Sequence, residues 1–390
     1  MRTDNILKTA KKVRPLFIFV ALLILSHSVF ANTPSQRDWW YTLQRGQLMF
    51  SRGDYGNALM TFEDARRDRR AVFDRMERDL IELLSMGEVR RLGDSLDWVE
   101  RFISDRHFSE AAVALEELYF RIPRERFDNS VTAALEALGT LRYFPEAEMW
   151  IGRTFLAGGE LGLALRQFEL ALSQRHLFEN PAFATELLYE IAEVRRIRQE
   201  YREMERVLLS ILEDSTLWAA DAGQGWQAGT FARDAMTRTL QRDGVQRWLT
   251  LYRYGNTQTM RAHRELGFYY IALGRHGRAQ EHLMFAFLIH NTVIIDEIIR
   301  RRFDFSFTTL EALANEIARD PFLATYADEG QYYRVAFYLG NALFGNGHAD
   351  SARELWRFLA ARDNAGQWQV RAAAQLRSPN PAVGPTLVMP

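Results

Sequence analysis

Cysteine is absent from this 390-residue chain. That excludes disulfides, thiolate zinc sites, cysteine nucleophiles and a lipid anchor on an N-terminal cysteine. Lysine occurs only at positions 8, 11 and 12, so beyond residue 12 every basic side chain other than histidine is arginine. Genomic codon bias would produce this, since helices accept Arg and Lys almost equally. Selection for bidentate recognition of carboxylate or phosphate would produce it too. The eight histidines do not pair usefully: His276 and His282 lie six apart, and His282 and His290 lie eight apart. Neither spacing is the i, i+4 that aims two helical ligands at one metal. No HExxH, G-x-S-x-G, Walker A or GxGxxG stretch is present, and those are the motifs that announce zinc proteases, serine hydrolases and nucleotide sites. Neither a catalytic residue nor a metal or cofactor is expected.

Residues 1–31 read as a targeting segment. Arg2, Lys8, Lys11, Lys12 and Arg14 form a basic start, residues 16–25 are uninterruptedly apolar, and Ser28-Val29-Phe30-Ala31 offers a small-residue cleavage site after Ala31. The apolar run is shorter than the roughly 20 residues a spanning helix needs; an uncleaved anchor is the alternative. The expected address is periplasmic or secreted. Removing this segment takes away five of 49 basic and one of 50 acidic side chains and leaves a net charge of about −5, which argues against non-specific nucleic-acid binding. With 47% hydrophobic and 13% aromatic residues, an exported chain lacking disulfides still has the apolar surface to build a core.

The remainder has helical periodicity throughout. Residues 39–50 and 58–68 read as a pair, with Arg66, Arg67, Arg69 and Arg70 closing the second helix and complementing its dipole; a basic docking patch is the minority reading. Residues 74–121 read as three helices, closed by Pro123. Residues 214–230 change character, with Trp218 and Trp226 flanking Asp221-Ala222-Gly223-Gln224-Gly225, and suggest a boundary at 215/216. Residues 279–299 form a long apolar stretch that His290, Asn291, Asp296 and Glu297 interrupt, so it reads as a buried helix pair and not a membrane span. Arg300-Arg301-Arg302, followed by Phe303, Phe305 and Phe307, is either a helix end packed under aromatics or an exposed patch that grips a partner. Residues 367–376 suit a capping helix, and the tail 378–390, with prolines at 379, 381, 385 and 390, is expected to be disordered.

The most informative stretch is 263–286, two short helices around Gly274-Arg275-His276-Gly277. Gly267 and Ala279 would let the backbones approach, with Tyr270 and Leu283 filling the space beside them. The same offsets recur in Gly340, Gly347, Ala352, Trp356 and Leu359; in Gly152, Gly159, Ala164, Phe168 and Ala171; and in Gly46, Gly53, Ala58, Phe62 and Ala65. A weaker copy lies at Phe108, Ala111, Leu115 and Leu118, and a degenerate one at Tyr201, Met204, Leu208 and Ile211. Leu-Gly-x2-Tyr, a glycine turn, then Ala-x3-Leu-x2-Ala resembles the tetratricopeptide repeat. Successive alanines are 53, 53, 115 and 73 positions apart, against about 34 for a regular array. The resemblance therefore implies an all-α fold, an irregular right-handed α-solenoid of divergent hairpins with inserted helices. Its repeats would occupy 32–215 and 216–377.

In that family the first helix of each hairpin lines the concave ligand face. The resemblance places Arg153, Arg261, Arg264, Phe268, Arg334, Phe337, Asn341 and Phe344 there. Asn341 stands where the family's peptide clamp has an asparagine, and Phe337 stands where that clamp has its lysine, so the clamp is not carried over. The mixture suits an extended peptide with acidic and apolar side chains. The expected function is a non-catalytic interaction scaffold for a protein or peptide partner. Two alternatives remain: a solute-binding protein serving a membrane transporter, with a small-molecule pocket near Trp218 and Trp226, and a hydrolase using scattered carboxylates.

Overall fold

The computed structural model describes residues 38–85, 101, 138–140, 142–213 and 230–385. The described residues hold fifteen α-helices and no strand, so the all-α expectation holds. The targeting segment, the weak copy at 108–118 and both Trp218 and Trp226 lie outside them. The chain divides into two compact units, Met1–Glu179 and Asn180–Pro390; the expected boundary at 215/216 falls within residues outside the description.

The first unit contains α1 (Asp38–Ser51), α2 (Tyr55–Ser85), α3 (Pro145–Ala157) and α4 (Leu161–Ser173). The second contains α5 (Ala182–Ile197), α6 (Tyr201–Glu213), α7 (Thr230–Asp243), α8 (Val245–Leu251), α9 (Thr257–Ala272) and α10 (His276–Arg301). It continues through α11 (Leu310–Arg319), α12 (Pro321–Glu329), α13 (Tyr332–Gly345), α14 (Ala349–Ala360) and α15 (Gln367–Arg377).

Four hairpins, α1/α2, α3/α4, α9/α10 and α13/α14, share one register. A glycine on the first helix faces a bulky side chain sixteen positions later. A Cβ on Gly46, Gly152, Gly267 or Gly340 would come within 2.6 Å of Phe62, Phe168, Leu283 or Trp356 respectively. Seven positions after each of these glycines comes a second one at positive φ: Gly53, Gly159, Gly274 and Gly347 at 80°, 80°, 68° and 88°. Each ends its helix in the same way. For Gly274, its N–H donates to Ile271 and the next N–H, of Arg275, donates to Tyr270. These are the paired bonds of the Schellman turn, which consumes the last orphan carbonyls and needs a residue without a Cβ penalty in the left-handed region. The alanines at the next offset, Ala58, Ala164, Ala279 and Ala352, are buried against the first helix.

The degenerate copy has the same turn without the glycine. In α5/α6 the N–H of Gln199 donates to Arg196 and that of Glu200 to Arg195, and Gln199 takes φ 59°. A left-handed non-glycine residue costs roughly 1–2 kcal/mol. Gln199→Gly should therefore raise the stability of the second unit by about 1 kcal/mol, read as a higher urea midpoint at unchanged slope; a lower midpoint would show that the Gln side chain contributes more than the backbone strain costs.

Two second helices are longer than the sequence suggested. The arginines at 66–70 do not end a helix: α2 runs unbroken through them for 31 residues. No glycine or proline interrupts residues 57–85, and arginine is a good helix former. Arg66 reaches Glu148 at 3.1 Å, and buried Arg69 lies 4.6 Å from the centre of the Phe144 ring. Likewise α10 is one 26-residue helix and not a pair. Two of its buried polar residues find partners in place. Asn291 donates to the Phe287 carbonyl and accepts from the Tyr332 hydroxyl, and His290 Nε2 lies 2.9 Å from the Gly330 carbonyl. By length and composition α10 could cross a membrane, and 78% of its most apolar window is buried inside the protein.

In the second unit α10 packs between α9 and α13, and α9 and α13 also touch each other. The inserted helices are pinned to this frame. Thr309 caps α11 by accepting from Ala312, and Asp320 caps α12 by accepting from Phe322 and Leu323. The carboxylate of Glu354, in α14, accepts from Val245 and Gln246 at 2.7 and 3.0 Å and so caps α8 from over a hundred residues away. The expected capping helix is present as α15, packed on α14.

Candidate functional site

The first helices α9 and α13, together with α15, bring together two of the eight expected ligand residues, Phe268 and Arg334. Phe268 of α9 lies under Arg334 of α13, whose guanidinium is 4.3 Å from the ring centre. Tyr338 meets Phe268 edge-on at 5.3 Å. Trp368 of α15 closes the cluster, 5.4 Å from Phe337 and 5.7 Å from Tyr338, and Arg371 lies 5.0 Å over Trp368. Arg334 also donates to Gln331 at 2.9 Å. Burial pushes the Arg334 guanidinium below its ordinary pKa; neighbouring Arg264 and Arg371 add to this, while Tyr338 and Glu265 oppose it. Burial pushes the Tyr338 phenol up, against the pull of Arg334 and Arg371. Among the described residues neither Arg334 nor Arg371 has a carboxylate within ion-pair distance, whereas Arg300, Arg301 and Arg302 each do.

The other expected residues go elsewhere. Arg264 is only 8% exposed and does not face a groove: it donates to the Gly330 carbonyl at 3.1 Å and pairs with Glu265 at 3.0 Å. Phe337 is buried against α15. Phe344 packs on Trp356 inside its own hairpin. Arg261 is exposed, stacked 4.9 Å from the Tyr189 ring centre. Arg153 belongs to the first unit, 4.5 Å from the Trp150 ring centre. Asn341 is fully buried, and its Nδ2 donates at 2.9 Å to the carbonyl of Val383. Residues 380–385, part of the tail expected to be disordered, thus lie against α9, α13 and α15; Pro385 is buried and Gly384 sits over Ile271 and Ala272.

The sequence pattern does not single out Tyr338, Trp368 or Arg371, and it gives the tail no part in a site. Trp368 and Arg371 sit at i, i+3 on a helix already read as a cap, which hid their second use. Beside this cluster a cleft of about 410 Å³ opens between α12, α13 and the start of α15, lined by Asp328, Gln331, Tyr333, Arg334 and Trp368 among others. Among the described residues no group of three or more His, Asp or Glu side chains could hold a metal ion. The patch at 300–307 is mixed: its arginines are paired as above, Arg302 stacks on Phe305 at 5.4 Å, and Phe303 is 92% exposed.

No family model matches the chain. Over 340 residues it is 25% identical to a protein of Treponema pallidum (strain Nichols) described as uncharacterized; the match covers 87% of this chain and 90% of that one. The likeness extends over both units, and it carries no functional statement.

Proposed function

We propose that the chain is an exported, non-catalytic interaction module built from divergent tetratricopeptide-type hairpins in a right-handed stack, and that it binds an extended segment of a partner protein across α9, α13 and α15. The observation that carries this reading is the pair Arg334 and Arg371: two guanidiniums spread on aromatic faces, with no carboxylate among the described residues within ion-pair distance. Such a pair suits acidic side chains of a ligand, because a stacked guanidinium keeps its in-plane donors free for a carboxylate. The half-buried ring of Trp368, backed by the buried Phe268 and Tyr338, suits an apolar side chain. The repeated register and the basic, apolar N-terminal segment with its Ala31 site support the family and address parts of the reading. The solute-binding alternative draws on the cleft beside Arg334, whose volume falls within the range of small-molecule sites.

The test is a pull-down of tagged residues 32–390 from envelope extract, beside an Arg334→Ala/Arg371→Ala variant. A partner retained by the native chain and reduced at least ~10-fold by the variant is expected, since losing two charge-assisted contacts of roughly 1.5–3 kcal/mol each exceeds that factor. A partner captured equally by both would remove this surface from the reading. No partner from either, with a thermal shift on adding a small solute, would favour the alternative.

A further inference from the structure

The tail against α9 and α13 is held by two side-chain amides used in different ways. Gln375 of α15, itself buried, spends both ends on one residue: its Oε1 accepts from the Asn380 N–H at 2.6 Å, and its Nε2 donates to the Asn380 carbonyl at 2.9 Å. Asn341 is also buried but makes half of that pattern. Its Nδ2 donates to the Val383 carbonyl, while its Oδ1 is buried with no hydrogen-bond partner among the described residues. The donor that would complete the pair is the N–H of Val383 itself, which in an extended strand points to the same side as its carbonyl. In the tail that N–H is taken by a turn, donating to Asn380 at 3.3 Å, and Ala382 donates to the Asn380 side chain at 3.0 Å. Pro381, in the second position of this turn, favours it. The contacts beyond are small and apolar. Gly384 lies over Ala272 and Ile271, where a Cβ would just reach van der Waals contact, 3.4 Å from the Ala272 Cα, and a much larger side chain would meet the α9 wall; Pro385 is buried. The Val383 side chain is 39% exposed.

We propose that residues 380–385 are an intramolecular occupant of a peptide site centred on Asn341 and the Ile271–Ala272 wall. They are held there by half of the Asn341 amide, and an extended partner segment displaces them. The ligand chemistry is specific. One residue is extended, with its N–H and its carbonyl both free for Asn341, and the next residue is glycine or alanine, to fit against α9. Such a segment pairs the acceptor that the tail leaves buried and unpaired, which is the term that lets it compete with a tethered occupant. The tether gives the tail an effective concentration in the millimolar range, so a free peptide is outcompeted until it makes the better contact. The inference rests on the peptide-binding reading above and adds its gate.

The test uses the full mature chain and two fluorescent 12-residue probes. One has the sequence of residues 379–390; the other has it with Pro381→Val, so that the turn is released and the strand can extend. Each is titrated into the native chain, a Gly384→Trp variant whose own tail is pushed off α9, and an Asn341→Leu variant. The released probe should bind the Gly384→Trp chain at least ~10-fold tighter than the native chain, because the cis competitor is removed. It should also bind tighter than the unmodified probe, and Asn341→Leu should abolish that preference. Circular dichroism of each variant confirms that it is folded. Equal affinity for native and Gly384→Trp chains, or a preference that survives in Asn341→Leu, would overturn the proposal. The outcome separates from that of the pull-down: a gain in Gly384→Trp with no partner captured keeps the self-occupied site and sinks the partner reading. A captured partner with no gain makes the tail a bystander.

Discussion

Gly267→Val should destabilise the second unit by about 1–3 kcal/mol, and Gly340→Val by a similar amount. In an ordinary helix interior glycine is the weak residue, and replacing it with alanine gains up to about 1 kcal/mol. Here the sign reverses. A Cβ on Gly267 would stand 2.4 Å from Cγ of Leu283, and one on Gly340 would stand 2.6 Å from Nε1 of Trp356. Both opposing side chains are fully buried with no room to retreat. Even Gly267→Ala should therefore lower the urea midpoint, whereas Gly277→Ala in the same hairpin, whose Cβ would have its nearest neighbour at 3.8 Å, should raise it. A Gly267→Ala/Leu283→Ala double variant should lose less than the sum of the two singles, since the clash and the cavity cancel in part. Parallel gains at Gly267 and Gly277 would show that the close approach of α9 and α10 does not exist in solution.

Acid should unfold the second unit early. His263 is wholly buried, with its Nδ1 3.2 Å from Nδ1 of His282 and its ring stacked on Phe285 at 5.2 Å. Burial, and then the neighbouring His282, hold its pKa well below the usual value. His290 is pushed down to about 3, first by burial and then by Arg264, while its contact with the Gly330 carbonyl works the other way. In both cases the folded pKa lies below the unfolded value of 6.5, so the unfolded chain binds more protons across that window. The stability is fully present above pH 6.5 and is lost as the pH falls, for His290 until the folded ring also protonates near pH 3. Such a group costs about 1.4 kcal/mol per pH unit, for His290 of order 3 kcal/mol between pH 6.5 and 4.5, and His263 acts in the same direction. Urea midpoints at half-unit pH steps measure this. His290→Gln, which keeps a donor for Gly330, should remove about one proton from the slope; an unchanged slope would show that acid acts elsewhere.

The hairpins were legible because their requirements are chemical and local. A close helix approach needs glycine, its partner must be bulky, and a Schellman turn needs the left-handed region, so Gly267, Leu283 and Gly274 announce themselves at fixed offsets. Gln199 carries the same turn and was silent, because glutamine has no preference for positive φ. The lengths of α2 and α10 were misread because polar residues look like interruptions until their partners are seen: Arg69 under Phe144, and Asn291 against Tyr332, which lies 41 residues on. Arg264 suggests a groove position because a charge on a first helix normally faces water; its carbonyl partner, Gly330, caps the end of the inserted helix α12, which periodicity cannot place in space. The prolines of the tail suggest disorder. Composition says nothing of two amides waiting for a backbone, Gln375 and Asn341, and they decide where residues 380–385 go.

The unbroken run of α10 has a consequence for how the second unit comes apart. In a regular array each repeat touches only its neighbours, and stability is a sum of nearest-neighbour terms, so the ends fray one hairpin at a time. A single 26-residue helix that touches both α9 and α13 couples two hairpins through one rod, and melting either exposes the same helix. The second unit should consequently behave as one cooperative block from α9 to α14, without the stepwise, length-dependent unfolding that a modular stack would show.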